Sequence, residues 1–319
     1  MDTLTVGDVL RARRLIRPHL RPTPLLSYPA LDRLLGAQAF VKHENHSPIG
    51  SFKARGALNA LSAHTRSRVV ASSTGNHGMG VAYAAKLLGL EATVVVPQWA
   101  NREKTSAIEA LGGRVVFSGT SAGESQRRTR ELVEEQSAYF ADDGGDVLIA
   151  AGAGTVALEV LEEVPDLDVL VIPLGDGALA GGCGVVVKAL APHVRTLGVQ
   201  SEACPATFRS WQRGDVVHVE AETLADGLAV IEPHPAAVTL LRRVLDGAVL
   251  VSEHDLAETI RLLLRHTHNL AEAAGAAALA GALKVRETLA GRKVALILSG
   301  GNLDTRILAS LLQNGGAAQ

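Results

Sequence analysis

Cysteine is almost missing from this sequence. The two present, Cys183 and Cys204, match no metal-ligand spacing and cannot build a disulfide framework. A reducing, cytoplasmic setting is therefore expected. An excess of positive charge is missing as well, since 31 Lys and Arg stand against 33 Asp and Glu; neither nucleic acid nor a membrane surface is an expected partner. No apolar run reaches the roughly 18 residues of a membrane span, and Met1 to Arg14 lacks the apolar core of a signal peptide. What is present is a 319-residue chain, 47% hydrophobic and 20% charged with 32 glycines, which suits a globular α/β protein of one large or two modest domains.

Short Val/Ile/Leu-rich runs recur at Ala39–Val41, Val69–Ser73, Ala92–Pro97, Arg114–Phe117, Val169–Pro173, Thr196–Val199 and Val294–Leu298, each reading as a buried strand. Helix-period segments lie between them, at Gly80–Leu88, Arg102–Leu111, Gly123–Gln136, Ala178–Ala191, Leu256–Leu264 and Ala271–Glu287. This alternation implies a mostly parallel sheet covered on both faces.

Ligands of open α/β sheets bind beyond the carboxyl ends of strands, where helix N-termini offer free N–H groups. Three glycine-bearing loops stand there: Ser72-Ser73-Thr74-Gly75-Asn76-His77-Gly78, Gly175-Asp176-Gly177-Ala178 and Ser299-Gly300-Gly301-Asn302. Any one alone is more simply a strand-to-helix turn with a positive-φ glycine. Three together could hold a small anionic ligand. The second also satisfies a dinucleotide fingerprint, Gly175-x-Gly177-x-x-Ala180, with Glu202 after the next strand; a nicotinamide-dependent oxidoreductase is the competing reading. It leaves the first and last loops without a task.

The segment Lys42 to Ala57 supplies a nucleophile. A lysine near a helix start is ordinarily just solvated. Here Ser51 is expected to cap the helix, Gly50 to permit close approach of a ligand, and Phe52 to offer a flat apolar face beside the Lys53 amine. Desolvation would depress the pKa of that amine and suit it to Schiff-base formation.

These segments together resemble the fold-type II pyridoxal-phosphate (PLP) enzymes, in particular the serine/threonine dehydratase and serine racemase branch. The resemblance spans nearly the whole chain and rests on Gly50-Ser51-Phe52-Lys53-Ala54-Arg55-Gly56-Ala57, Ser73 to Gly78, the loop from Gly175, Glu272-Ala273-Ala274-Gly275 and Ser299 to Asn302. It implies two open, twisted, mostly parallel sheets with flanking helices, in a large cofactor-binding domain (1–50 and 142–319) and an inserted small domain (51–141). It implies that Lys53 carries the cofactor and removes the substrate's α-proton, that Phe52 packs on the pyridine ring, and that Asn76 hydrogen-bonds the phenolic oxygen. Gly175, Asp176, Gly177, Ala178 and Leu179 would cradle the phosphate, and Ser299 would meet the ring nitrogen. Ser73, Thr74, Gly75, Asn76 and His77 would hold the substrate carboxylate. The implied reaction is loss of water and ammonia from L-threonine or L-serine, with 3-hydroxyaspartate dehydration or serine racemisation as relatives of it. The implied assembly is a homodimer without the C-terminal regulatory domain of biosynthetic threonine dehydratases.

Several positions depart from the family pattern. Thr74 stands where racemases present a serine hydroxyl as second acid–base, and its stiff χ1 weighs against that role. Asp176 interrupts the family's run of four glycines; facing inward it would repel a phosphate, so it is expected to point away or to mark a rearranged loop. The family's divalent-cation positions correspond to Gln200 and Ala206, so no metal is expected. His266 and His268 read as surface or packing residues. Asp142-Asp143-Gly144-Gly145-Asp146 lacks the closing Glu of a calcium loop and reads as a solvated turn, in a stretch that in the family lies near the substrate.

Overall fold

The computed structural model describes residues 1, 3–100, 102–120, 122–220 and 222–314. It contains two sheets. The larger has six strands in the order β1-β2-β10-β7-β8-β9, namely β1 (Leu25–Ser27), β2 (Gln38–His43), β7 (Val169–Pro173), β8 (Arg195–Ser201), β9 (Gly247–Val251) and β10 (Lys293–Leu298). All its pairings are parallel except β1 with β2. The smaller is all-parallel, in the order β5-β4-β3-β6, built from β3 (Arg68–Ser72), β4 (Glu91–Val96), β5 (Arg114–Phe117) and β6 (Tyr139–Phe140). Its strands lie in sequence between β2 and β7.

All seven strands expected from the sequence are present. The three without a counterpart in the sequence reading, β1, β6 and β9, are two to five residues long and contain no fully buried apolar run, so periodicity has little to register. β7, by contrast, is buried at every position, the pattern of a central parallel strand with helices on both faces. The expected helix over 271–287 is shorter, Ala273–Lys284, followed by a separate turn at Arg286–Leu289.

A 17-residue helix, Val147–Glu163, also has no counterpart in the sequence reading, because it is apolar almost all round and shows no amphipathic stripe. It packs against the helices Lys53–Ser62 and Ala178–Leu190. Small residues bring the backbones together: a Cβ at Gly152 would lie 2.4 Å from the Arg55 carbonyl oxygen. The helix that begins at Lys53 is thus clamped from behind.

That clamp carries charge. Arg55, 1% exposed, donates through Nε and Nη2 to Glu44 (2.7 and 2.8 Å) and through Nη1 and Nη2 to Glu159 (2.6 and 2.8 Å). Lys42, also buried, lies 2.7 Å from Glu159. Two cations face two carboxylates, and Lys42 also donates to the Thr23 carbonyl (2.6 Å); pairing of this kind is the condition under which buried ions are tolerated.

Candidate active site

The cavity lies between the two sheets, where the carboxyl ends of β3, β7 and β10 meet the N-termini of three helices: Lys53–Ser62, Asn76–Leu88 and Ala178–Leu190. Its volume is about 230 Å³. All three glycine-bearing loops contribute to its wall, together with Phe52 and Lys53.

Lys53 projects its ammonium between two carboxylates, 2.5 Å from Asp143 Oδ2 and 3.2 Å from Asp176 Oδ2, and 4.9 Å from the Phe52 ring centre. Burial opposes its charge, but Asp143 and Asp176 outweigh burial and hold the ammonium above its ordinary pKa. The depressed pKa expected from desolvation alone is therefore corrected. Asp143 in turn stays well below the usual carboxylate range: His77 and Lys53 overcome its burial. The His77 ring places Nδ1 3.2 Å from Asp143 and Nε2 2.9 Å from the Ala141 carbonyl. Burial pulls the imidazole down, and the Asp143 charge more than reverses this.

Asp143 overturns the expectation of a solvated turn at Asp142–Asp146. No spacing in the sequence marks it, because its importance depends on which residues the turn faces. Asp176 also differs from expectation. Its side chain turns inward, with Oδ1 accepting from the Ala178 N–H (2.8 Å) and Oδ2 near Lys53. Burial and the charge of Asp143 push its carboxyl up to about 6.

The opposite wall is a chain of amides and acids. Asn302 Nδ2 donates to Asn76 Oδ1 (2.7 Å), and Asn76 Nδ2 donates to Glu272 Oε1 (2.6 Å). This fixes the Asn76 amide orientation and leaves one Nδ2 hydrogen for a ligand. Burial pushes Glu272 up to about 7. Glu272, Asn302, Lys104 and Asp226 all line the cavity; the first two belong to recognisable motifs but carry no individual signal. Lys104 pairs with Asp226 across the cavity mouth.

Two expectations near Lys53 need correction. Ser51 does not cap the helix: Phe52 holds the N-cap position, and Ser51 Oγ is buried with no partner. Gly50 serves the protein itself, with φ of 69° and a would-be Cβ 2.6 Å from Asn302 Oδ1. Gly275 similarly admits the Gly300 carbonyl, 2.1 Å from where a Cβ would stand. Gly275→Ala should cost about 1–3 kcal/mol through this overlap, seen as a lowered melting temperature by circular dichroism. An unchanged melting temperature would mean that the Gly300 loop yields freely.

The cavity suits a planar aldehyde bearing a phosphate. A primary amine and an aromatic face stand on one side. Gly175, Asp176 and Leu179 line the cavity at a helix start, where Gly177 and Ala178 do not reach the wall and the Ala178 N–H is held by Asp176. Ser299, whose carbonyl accepts from the Phe52 N–H, is 4% exposed and its hydroxyl has only a long contact, 3.4 Å, to the Ala274 carbonyl. That hydroxyl is free to meet a ring nitrogen. Among the described residues, no three or more His, Cys, Asp or Glu side chains cluster as a metal site.

Residues 16–300 match the pyridoxal-phosphate-dependent enzyme family, and the chain belongs to that family. It is 36% identical to an L-threonine ammonia-lyase of Thermotoga maritima, over 98% of this chain and 79% of that protein. It is 35% identical to an L-threo-3-hydroxyaspartate ammonia-lyase of Saccharomyces cerevisiae, over 97% and 96%. A crystal structure of a T.th. threonine deaminase superposes with a TM-score of 0.90 at 37% identity, covering 94% of this chain and 99% of that one. The fold is thus that of PLP fold type II, and the cofactor is PLP.

Proposed function

We propose that the protein removes water and ammonia from L-threonine or L-serine to give a 2-oxo acid. The observation that carries this reading is the placement of the Lys53 amine and the Ser299 hydroxyl in one cavity, with Gly175, Asp176 and Leu179 at the start of the helix Ala178–Leu190. PLP supplies an electron sink that makes the bond to the α-hydrogen breakable. Lys53 Nζ would take that proton as base; the β-hydroxyl gains a proton and leaves as water, and hydrolysis of the resulting enamine gives the 2-oxo acid and ammonia. The N–H groups of Ser73–His77, at the start of the helix Asn76–Leu88, hold the substrate carboxylate; the remaining Asn76 hydrogen and the Phe52 face orient the cofactor. Ser299 offers a neutral hydroxyl where a carboxylate would hold the ring nitrogen protonated, and this favours loss of a β-substituent over transamination.

The segments 1–50 with 142–319 and 51–141 are read as large and small domains, the chain as a cytoplasmic homodimer. No described helix is long and apolar enough to cross a membrane.

A second reading has one observation behind it. Lys104 is a cation in the cavity wall and could receive the β-carboxylate of 3-hydroxyaspartate, the substrate class of the yeast relative. Incubation of the PLP-loaded protein with L-threonine, L-serine and L-threo-3-hydroxyaspartate, with detection of 2-oxo acid, tests both. Preference for the first two supports dehydration of neutral hydroxy amino acids, and preference for the third supports the Lys104 reading. No 2-oxo acid from any of them refutes both. D-serine in recovered serine would add racemisation through Thr74.

A further inference from the structure

We propose that Asp176 is an internal anion that occupies the phosphate cradle, and that it must take up a proton before the cofactor's phosphate can settle there. The inference rests on the reading of Gly175–Leu179 as the phosphate loop.

The geometry is that of a substitute ligand. A phosphate bound at this loop would take hydrogen bonds from backbone N–H groups at the start of the helix Ala178–Leu190. Asp176 Oδ1 already takes the Ala178 N–H at 2.8 Å, and Oδ2 takes the Lys53 ammonium at 3.2 Å. One carboxylate therefore satisfies a donor of the cradle and a share of the charge on the amine that must react. Asp176 stands between this cavity and the adjoining cleft, whose wall it shares with Asp143 and Gly144, and its two contacts hold the carboxylate on the Lys53 side. Across the adjoining cleft lie Arg130, Glu232 and His234, and His77 reaches the cluster through Asp143.

Two carboxylates beside a phosphate would leave several negative charges and few cations in a confined space, an arrangement that like-charge repulsion disfavours. Asp143 is held ionised by Lys53 and His77. Asp176 is the member that gives way, since its carboxyl already sits near 6 and an arriving phosphate pushes it higher. Once protonated, it loses its negative charge and holds the Ala178 N–H only as a neutral acceptor, can donate a hydrogen bond to a phosphate oxygen, and releases part of its hold on the Lys53 charge. Cofactor affinity then falls as pH rises above about 6, by up to about tenfold per pH unit for one proton taken up.

The test compares PLP with pyridoxal, which lacks the phosphate, for wild type, Asp176→Asn and Asp176→Gly, from about pH 5.5 to about pH 8.5. Binding is read from the visible absorbance of the bound aldehyde. The ratio of the two affinities cancels the titration of Lys53, His77 and Glu272, and the phosphate's own second ionisation is common to all three proteins. At about pH 8 the ratio should be up to about a hundredfold higher in the variants than in wild type, with a shallower pH dependence. Asp176→Asn keeps the volume and the Ala178 contact, so a folding defect in Asp176→Gly does not remove the test. If wild type prefers PLP over pyridoxal but the variants give the same ratio at every pH, Asp176 does not meet the phosphate and the proposal is overturned while the loop reading stands. If none of the three proteins prefers PLP, the loop reading itself fails and the proposal falls with it.

Discussion

Lys53→Ala should lose the visible absorption band of covalently held cofactor and about 10²–10⁴-fold or more of any 2-oxo acid formation. In the proposed reaction two tasks fall on one atom, attachment of the cofactor and transfer of the α-proton, and no neighbour is placed to inherit both. Lys104 also lines the cavity but is paired with Asp226, while Lys42 is buried in the ion network behind the helix. The substitution has a further electrostatic effect. It removes the ammonium from between Asp143 and Asp176, so the site becomes more negative and non-covalent PLP should bind more weakly too. The check is the absorbance spectrum of PLP-treated, desalted wild type and variant, beside a 2-oxo acid assay. A variant that keeps both the band and the turnover would show that another amine carries the cofactor.

Arg55→Ala should lower stability by about 3–5 kcal/mol, the cost of leaving a buried charge without its partner. Arg55 serves two carboxylates with paired hydrogen bonds. Glu159 would retain Lys42, but Glu44, 0% exposed, would keep only the Thr23 hydroxyl at 2.5 Å. Replacing both Arg55 and Glu44 by apolar residues should recover much of the loss, because no unpaired charge then remains and Glu159 still holds Lys42. Urea unfolding of the three proteins decides this: a single variant as stable as wild type would mean that water reaches Glu44. Arg55 lies two positions after Lys53, so the network also fixes the direction in which the amine emerges.

Much of this architecture is legible from the chain because strand burial and loop chemistry are local. Val169–Pro173 reads as a buried strand from its unbroken apolar run, and the same run is buried throughout. The loops at Ser73, Gly175 and Ser299 announce themselves by glycine and hydroxyl residues at strand ends, and they do line one cavity. The helix Val147–Glu163 is not legible, since a helix buried on all sides has no polar face to set its period. β6 is two residues long and exists only because β3 offers it an edge.

The site divides in the same way. Residue order along the chain, through the family resemblance it carries, is enough to propose Lys53 as the reactive amine and Ser299 as the hydroxyl for the ring nitrogen, and to pick out the succession of loops. It is not enough for the charge state of that amine. Asp143 and Asp176 are 90 and 123 positions from Lys53, and only the packing of β7 and its following loop against the turn after β6 brings both carboxylates to its nitrogen. Desolvation alone would lower the lysine's pKa; two buried anions at hydrogen-bonding distance raise it, because Coulomb energy depends on separation in space and not on separation in sequence.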